Sequence, residues 1–133
     1  FAAIFGSYEN RVNHGIRKGT GEGESIKMIN IETLRTYFQK DMIVISEHAK
    51  NRCRERNIKQ KDIEHCIMTG EIIEQYPDDF PFPSCLVFGY GINNQIIHAV
   101  VSSEGESGRI ITAYIPNTDK FETDLKTRKE HNT

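Results

Sequence analysis

The sequence predicts an α+β domain: two or three N-terminal helices packed on a four-stranded antiparallel sheet. Apolar residues recur at helical spacing from 29 to 69, and from 71 to 115 the period falls to two. Clusters of proline, glycine and asparagine separate the alternating runs, as turns between neighbouring strands require. The 133 residues are one domain's worth of chain, dividing into a flexible extension over 1–27, a single domain over 28–129 and a tail over 130–133.

The extension has no period. Gly6, Gly15, Gly19, Gly21 and Gly23 interrupt it, and 18–25 is linker-like. Met28 opens the first patterned segment, either as a natural start or as a junction within a longer protein. At 29–40, Ile31, Leu34 and Phe38 mark a short amphipathic helix, and 42–45 form a brief apolar lead into Ser46. The Ser46 hydroxyl suits a helix N-cap, with Glu47 favourably placed in the first turn. Ala49 and Cys53 share the face to be buried, while His48, Arg52 and Arg56 step by four into a cationic stripe. Stacked like charges repel, so the stripe costs stability unless an anion or acidic partner covers it.

Asn57 and Ile58 break the chain before a third helix at 61–69, with Ile63, Cys66 and Ile67 inward and Gly70 as a left-handed stop. Strands follow at 71–76, 85–90, 95–103 and 109–115. An ordered proline-rich loop at 77–84 joins the first two, and 91–94 supplies hairpin chemistry. Pro116 ends the last strand, and 119–129 reads as a charged segment of one or two helical turns docked by Phe121 and Leu125.

The last two strands place chemistry. Ile97, Ala99 and Val101 share one face, and Ile96, His98 and Val100 the other. Ile111, Ala113 and Ile115 oppose Ile110, Thr112 and Tyr114. A turn centred near Glu106 sets His98 opposite Tyr114 and Val100 opposite Thr112. With the helix packed over the sheet edge, these groups meet the stripe of His48, Arg52 and Arg56. Such a set suits metal-independent RNA cleavage. One histidine would take a ribose 2′-OH proton, another group would protonate the leaving oxygen, and arginines would hold the phosphate.

The stretch Ser46-x-His48-Ala49-x-x-Arg52-x-x-x-Arg56 resembles a bacterial family known as domain of unknown function 4258. The likeness continues through Gly70-Glu71-Ile72-Ile73-Glu74-x-Tyr76, Pro83-Ser84-Cys85-Leu86-Val87 and Ile97-His98-Ala99-Val100. It closes with Ile111-Thr112-Ala113-Tyr114-x-Pro116 and Phe121-x-x-Asp124-x-x-x-Arg128. The resemblance implies a toxin of a toxin–antitoxin pair, similar in fold to barnase and RelE-type ribonucleases, with RNA as substrate and a zinc-finger type antitoxin as partner. It also implies a site in which His48, Arg52, His98 and Tyr114 are catalytic and Arg56, Thr112 and Arg128 bind substrate.

Composition tempers that reading. A formal charge of −2 offers no general basic excess, yet 50–61 holds Lys50, Arg52, Arg54, Arg56, Lys59 and Lys61 against Glu55 alone. His48, His65 and His98 lack metal-ligand spacing, so neither metal nor another cofactor is expected. Three cysteines without a Cys-x-x-Cys pair point to a reducing cytoplasm. No apolar run reaches membrane-spanning length, and the opening residues lack signal-peptide features. Plainer readings remain: a solvated His48, a half-exposed polar sheet face, small core thiols. They leave two alternatives open, a non-catalytic module for an anionic ligand or acidic protein, and a protein that assembles through its sheet edge and proline loop.

Overall fold

Helix starts in this chain fall where a side chain can accept from otherwise unpaired backbone N–H groups. The computed structural model describes residues 28–130; the extension over 1–27 and residues 131–133 of the tail lie outside them. The elements are α1 (Ile31–Gln39), β1 (Ile43–Ile45), α2 (Glu47–Glu55), α3 (Gln60–Thr69), β2 (Glu71–Tyr76), β3 (Ser84–Tyr90), β4 (Ile96–Ser103) and β5 (Gly108–Tyr114). Asn30 caps α1 and Ser46 caps α2, accepting from the Glu32 and Ala49 amides. The buried Asp62 carboxylate accepts from the Lys59 amide at 2.9 Å and from the Ile92 amide at 3.0 Å, so it tethers α3 to the β3–β4 turn.

Gly70 ends α3, but not through a left-handed conformation; its φ is −102°. The reason for glycine is closeness. A Cβ there would lie 2.1 Å from the Phe88 carbonyl oxygen and 2.4 Å from that of Cys66. Arg35 of α1 completes the helix end, donating to the Ile67 and Gly70 carbonyls.

The sheet has five strands in the order β1-β5-β4-β3-β2. It is mixed, which corrects the four-stranded antiparallel expectation. β2 to β5 form the antiparallel meander, while Ile43, Val44 and Ile45 pair in parallel with Gly108, Arg109 and Ile110. Three residues are too few to display a period, and their partner is the last strand of the chain, so nothing local marks the pairing.

Helices cover one sheet face. Leu34, Tyr37, Cys53, Ile63 and Ile67 pack there against Val87, Ile97, Ala99 and Ala113. On the opposite face Tyr76, Leu86, Val100, Ile111 and Tyr114 pack with Phe121. A bulge between β4 and β5 moves the pairing from Val100–Thr112 to Val101–Ile110. Ile111 therefore leaves the face of Ala113, where alternation had put it, and Ile110 takes the helix side.

The segment after β5 is a strap, not the helical turns expected. Asp124 captures the Lys126 and Thr127 amides at 2.9 Å, drawing off donors that a helix would need. Leu125 sits at a φ of 58°, and Phe121 bridges back to Arg128.

Candidate functional site

The β4–β5 register brings together the sheet half of the expected site. His98 faces Tyr114 and Val100 faces Thr112. His98 Nδ1 lies 3.3 Å from the Tyr114 hydroxyl, with the rings 5.3 Å apart. The strap roofs this cluster. Phe121 meets the His98 ring edge-on at 4.6 Å, and the Leu125 carbonyl oxygen lies 2.7 Å from His98 Nε2. A carbonyl only accepts, so Nε2 carries the hydrogen and Nδ1 is left to accept from Tyr114. His98 is 0% exposed. Burial above all, with the Arg128 charge adding to it and the Leu125 carbonyl opposing it, lowers its pKa from 6.5 to about 4. A neutral imidazole with both nitrogens engaged holds the strap on the sheet; it is closed to proton exchange with a ligand in this conformation.

Arg128 is committed in the same way. Its Nε donates to Glu74 at 2.9 Å and its Nη2 at 3.2 Å, with both side chains 3% exposed. Glu74 also accepts a short hydrogen bond from the Tyr76 hydroxyl. Burial first, then the Glu74 charge, push the Tyr76 phenol well above its ordinary value. The strap is thus pinned by an ion pair as well as by His98.

Arg56 serves the sheet edge. β1 covers only the first part of β5, and α2 covers the rest. Arg56 Nη1 donates to the Ala113 carbonyl at 2.8 Å and lies 3.2 Å from Thr112 Oγ1. A backbone carbonyl that would otherwise invite a further strand is satisfied from the end of one helix.

The remaining members of the stripe face outward. His48 is exposed on the first turn of α2 and Arg52 is half-buried. On the other flank of the buried Ala49–Cys53 stripe, α2 exposes Lys50 and Arg54. The seven expected residues thus divide three ways. His98, Tyr114 and Arg128 belong to the roofed cluster, Arg56 and Thr112 to the sheet edge, and His48 and Arg52 to the accessible surface. Three clefts on the described residues are lined by none of His48, Arg52 and His98. One, of about 100 Å³, lies beyond the end of β5 beside Tyr114 and Phe121. A second, of about 360 Å³, lies where Lys50, Arg54 and Lys59 surround Ile45, Ile58 and Ile63. Among the described residues no three His, Cys, Asp or Glu side chains gather as a metal site, and no helix is long and apolar enough to cross a membrane.

Glu74, Tyr76 and Asp62, buried polar groups that hold the strap and α3 in place, are not singled out by the sequence pattern. A glutamate on a strand whose neighbours are apolar was the available signal for the first.

Fold and surface define the class: a small α+β domain with a roofed polar cluster on one sheet face and accessible cations on α2. The chain belongs to the family described as Domain of unknown function (DUF4258), whose model matches residues 45–115, more than half of the chain. The match ends before the strap, short of Arg128, to which the sequence likeness had been followed. Comparison with curated proteins and with solved structures gave no match.

Proposed function

We propose that this domain is a binding module for an anionic partner, working through the cationic flanks of α2. One observation carries the reading. α2 buries a narrow Ala49–Cys53 stripe and presents His48 and Arg52 on one flank, Lys50 and Arg54 on the other. Lys50 and Arg54, both exposed and one helical turn apart, repel each other, and an anion laid over them removes that cost. The acid/base alternative is weakened by His98, whose proton is held inside the molecule by Leu125. Fluorescein-labelled oligoglutamate and decauridine test the proposal. At least one should bind the full chain with an affinity that falls with salt and drops by about tenfold in Arg52→Glu or Arg54→Glu. Binding indifferent to both substitutions would sink it.

The second reading keeps the toxin-like endoribonuclease of a toxin–antitoxin system, acting in the cytoplasm on RNA and restrained by an antitoxin of zinc-finger type. What favours it is His48, exposed one turn from Arg52 on the flank that ends at Arg56 and Thr112. His48 would be the general base and Arg52 the phosphate clamp, with His98 and Arg128 holding the scaffold. Growth arrest on expression, relieved by His48→Ala, together with RNA cleavage by the purified chain, supports this reading; intact RNA after prolonged incubation removes it.

A further inference from the structure

The second flank of α2 leads into a cleft that the sequence did not announce. β1 contributes Ile45, the turn after α2 contributes Ile58 and α3 contributes Ile63, giving a floor of branched aliphatic side chains. Ile58 and Ile63 are buried at its base, and Ile45 is half-exposed. Three cations rise around this floor. Lys50 and Arg54 stand one turn apart on α2, and Lys59 comes from the start of α3.

The charge there is poorly neutralised. Arg54 and Lys59 have no carboxylate partner among the described residues, and Arg54 donates only to the Asn51 side chain. Lys50 meets Glu47 at 3.7 Å with both side chains well exposed, a pairing that contributes little. The cleft therefore joins an apolar base to a positive rim.

We propose that this cleft is a docking groove for an acidic, amphipathic helical segment of a partner protein. The proposal rests on the anion-binding reading above and names the partner for one flank of α2. Three features select this occupant. The volume of about 360 Å³ admits apolar anchor side chains of the kind helices insert into grooves. Lys50 and Arg54 are spaced to meet carboxylates that are themselves one turn apart on a facing helix. None of the lining side chains is aromatic, so a nucleic-acid base would find no stacking platform.

The test uses the full chain, isotope-labelled, and an amphipathic peptide of roughly sixteen residues with leucines at i, i+3 and i+7 and glutamates beside them. Expected are saturable shifts at Arg54, Lys59 and the Ile63 methyl groups. Affinity should fall by about tenfold in Arg54→Glu, and equally when the peptide's leucines become alanine at unchanged charge. The peptide variant keeps the test decisive even if the protein variant misfolds. Shifts elsewhere, insensitivity to leucine removal, or preferential filling of the groove by decanoate or decauridine would overturn the proposal. Decauridine or oligoglutamate binding along His48 and Arg52 without peptide in the groove would overturn this inference and leave the broader reading intact. Absence of binding by all four probes would remove both.

Discussion

The Glu74 carboxylate and the Arg128 guanidinium meet at 2.9 Å, both side chains 3% exposed, and so join the second strand to the strap. Arg128 also lies 4.6 Å above the Phe121 ring. Removing one partner leaves the other charged and buried, which costs about 3–5 kcal/mol, whereas replacing both with apolar or neutral groups costs far less. Arg128→Met should therefore lower urea stability by about that amount, and Glu74→Gln with Arg128→Met should recover a substantial part. Equal losses in the single and double variants would contradict the buried pairing.

His98 gives the fold a pH signature. Its folded pKa of about 4 lies below the ordinary 6.5, so between these values the unfolded chain binds the proton more readily. Stability is complete above pH 6.5 and is lost as pH falls toward 4, by roughly 3 kcal/mol from this residue in total. Denaturation of wild type and His98→Gln across that window should show a shallower loss in the variant, since carboxylates contribute equally to both. Parallel curves would contradict the sealed environment.

Much of this cluster was legible in the alternation of β4 and β5. A strict period of two leaves little choice about which residues share a face, and a short hairpin turn fixes the register. His98 opposite Tyr114 follows from that. The bulge that turns Ile111 over was not legible, because a single extra residue breaks no pattern until its partner strand is known. Nor was the roof over His98. Its contacts come from Phe121 and Leu125, in a segment whose conformation depends on Asp124 capturing local amides and not on any repeating face. The cationic stripe was visible, but the place of Arg56 at the edge of β5 was not, because its hydrogen bond to the Ala113 carbonyl joins residues that only the tertiary structure brings together.

That edge makes a prediction of its own. Arg56→Ala removes the donor to the Ala113 carbonyl and should cost about 1.5–3 kcal/mol, the range for hydrogen bonds to a charged group. Thr112→Val, which loses the longer contact, should cost less. Amide exchange at 111–114 should quicken in Arg56→Ala; unchanged protection there would show that α2 is not needed to close the edge.

Glycine at 70 and 89 is required by packing. A Cβ at Gly89 would approach the Cys66 carbonyl oxygen to 2.2 Å, mirroring the contact at Gly70. Either substitution to alanine forces α3 away from β3 and should destabilise by about 1–3 kcal/mol. Thermal denaturation measures it, and tolerance of both alanines would mean that the helix sits farther from the strand.

The parallel pairing of β1 with β5 also sets a timetable for synthesis. Ile43, Val44 and Ile45 leave the ribosome long before Gly108, Arg109 and Ile110 exist to receive them. At typical elongation rates the interval from residue 45 to residue 114 is roughly 3–14 s. Throughout it the nascent chain carries an unclaimed apolar strand, so this small domain matures as a late, whole-chain event that chaperones have time to attend.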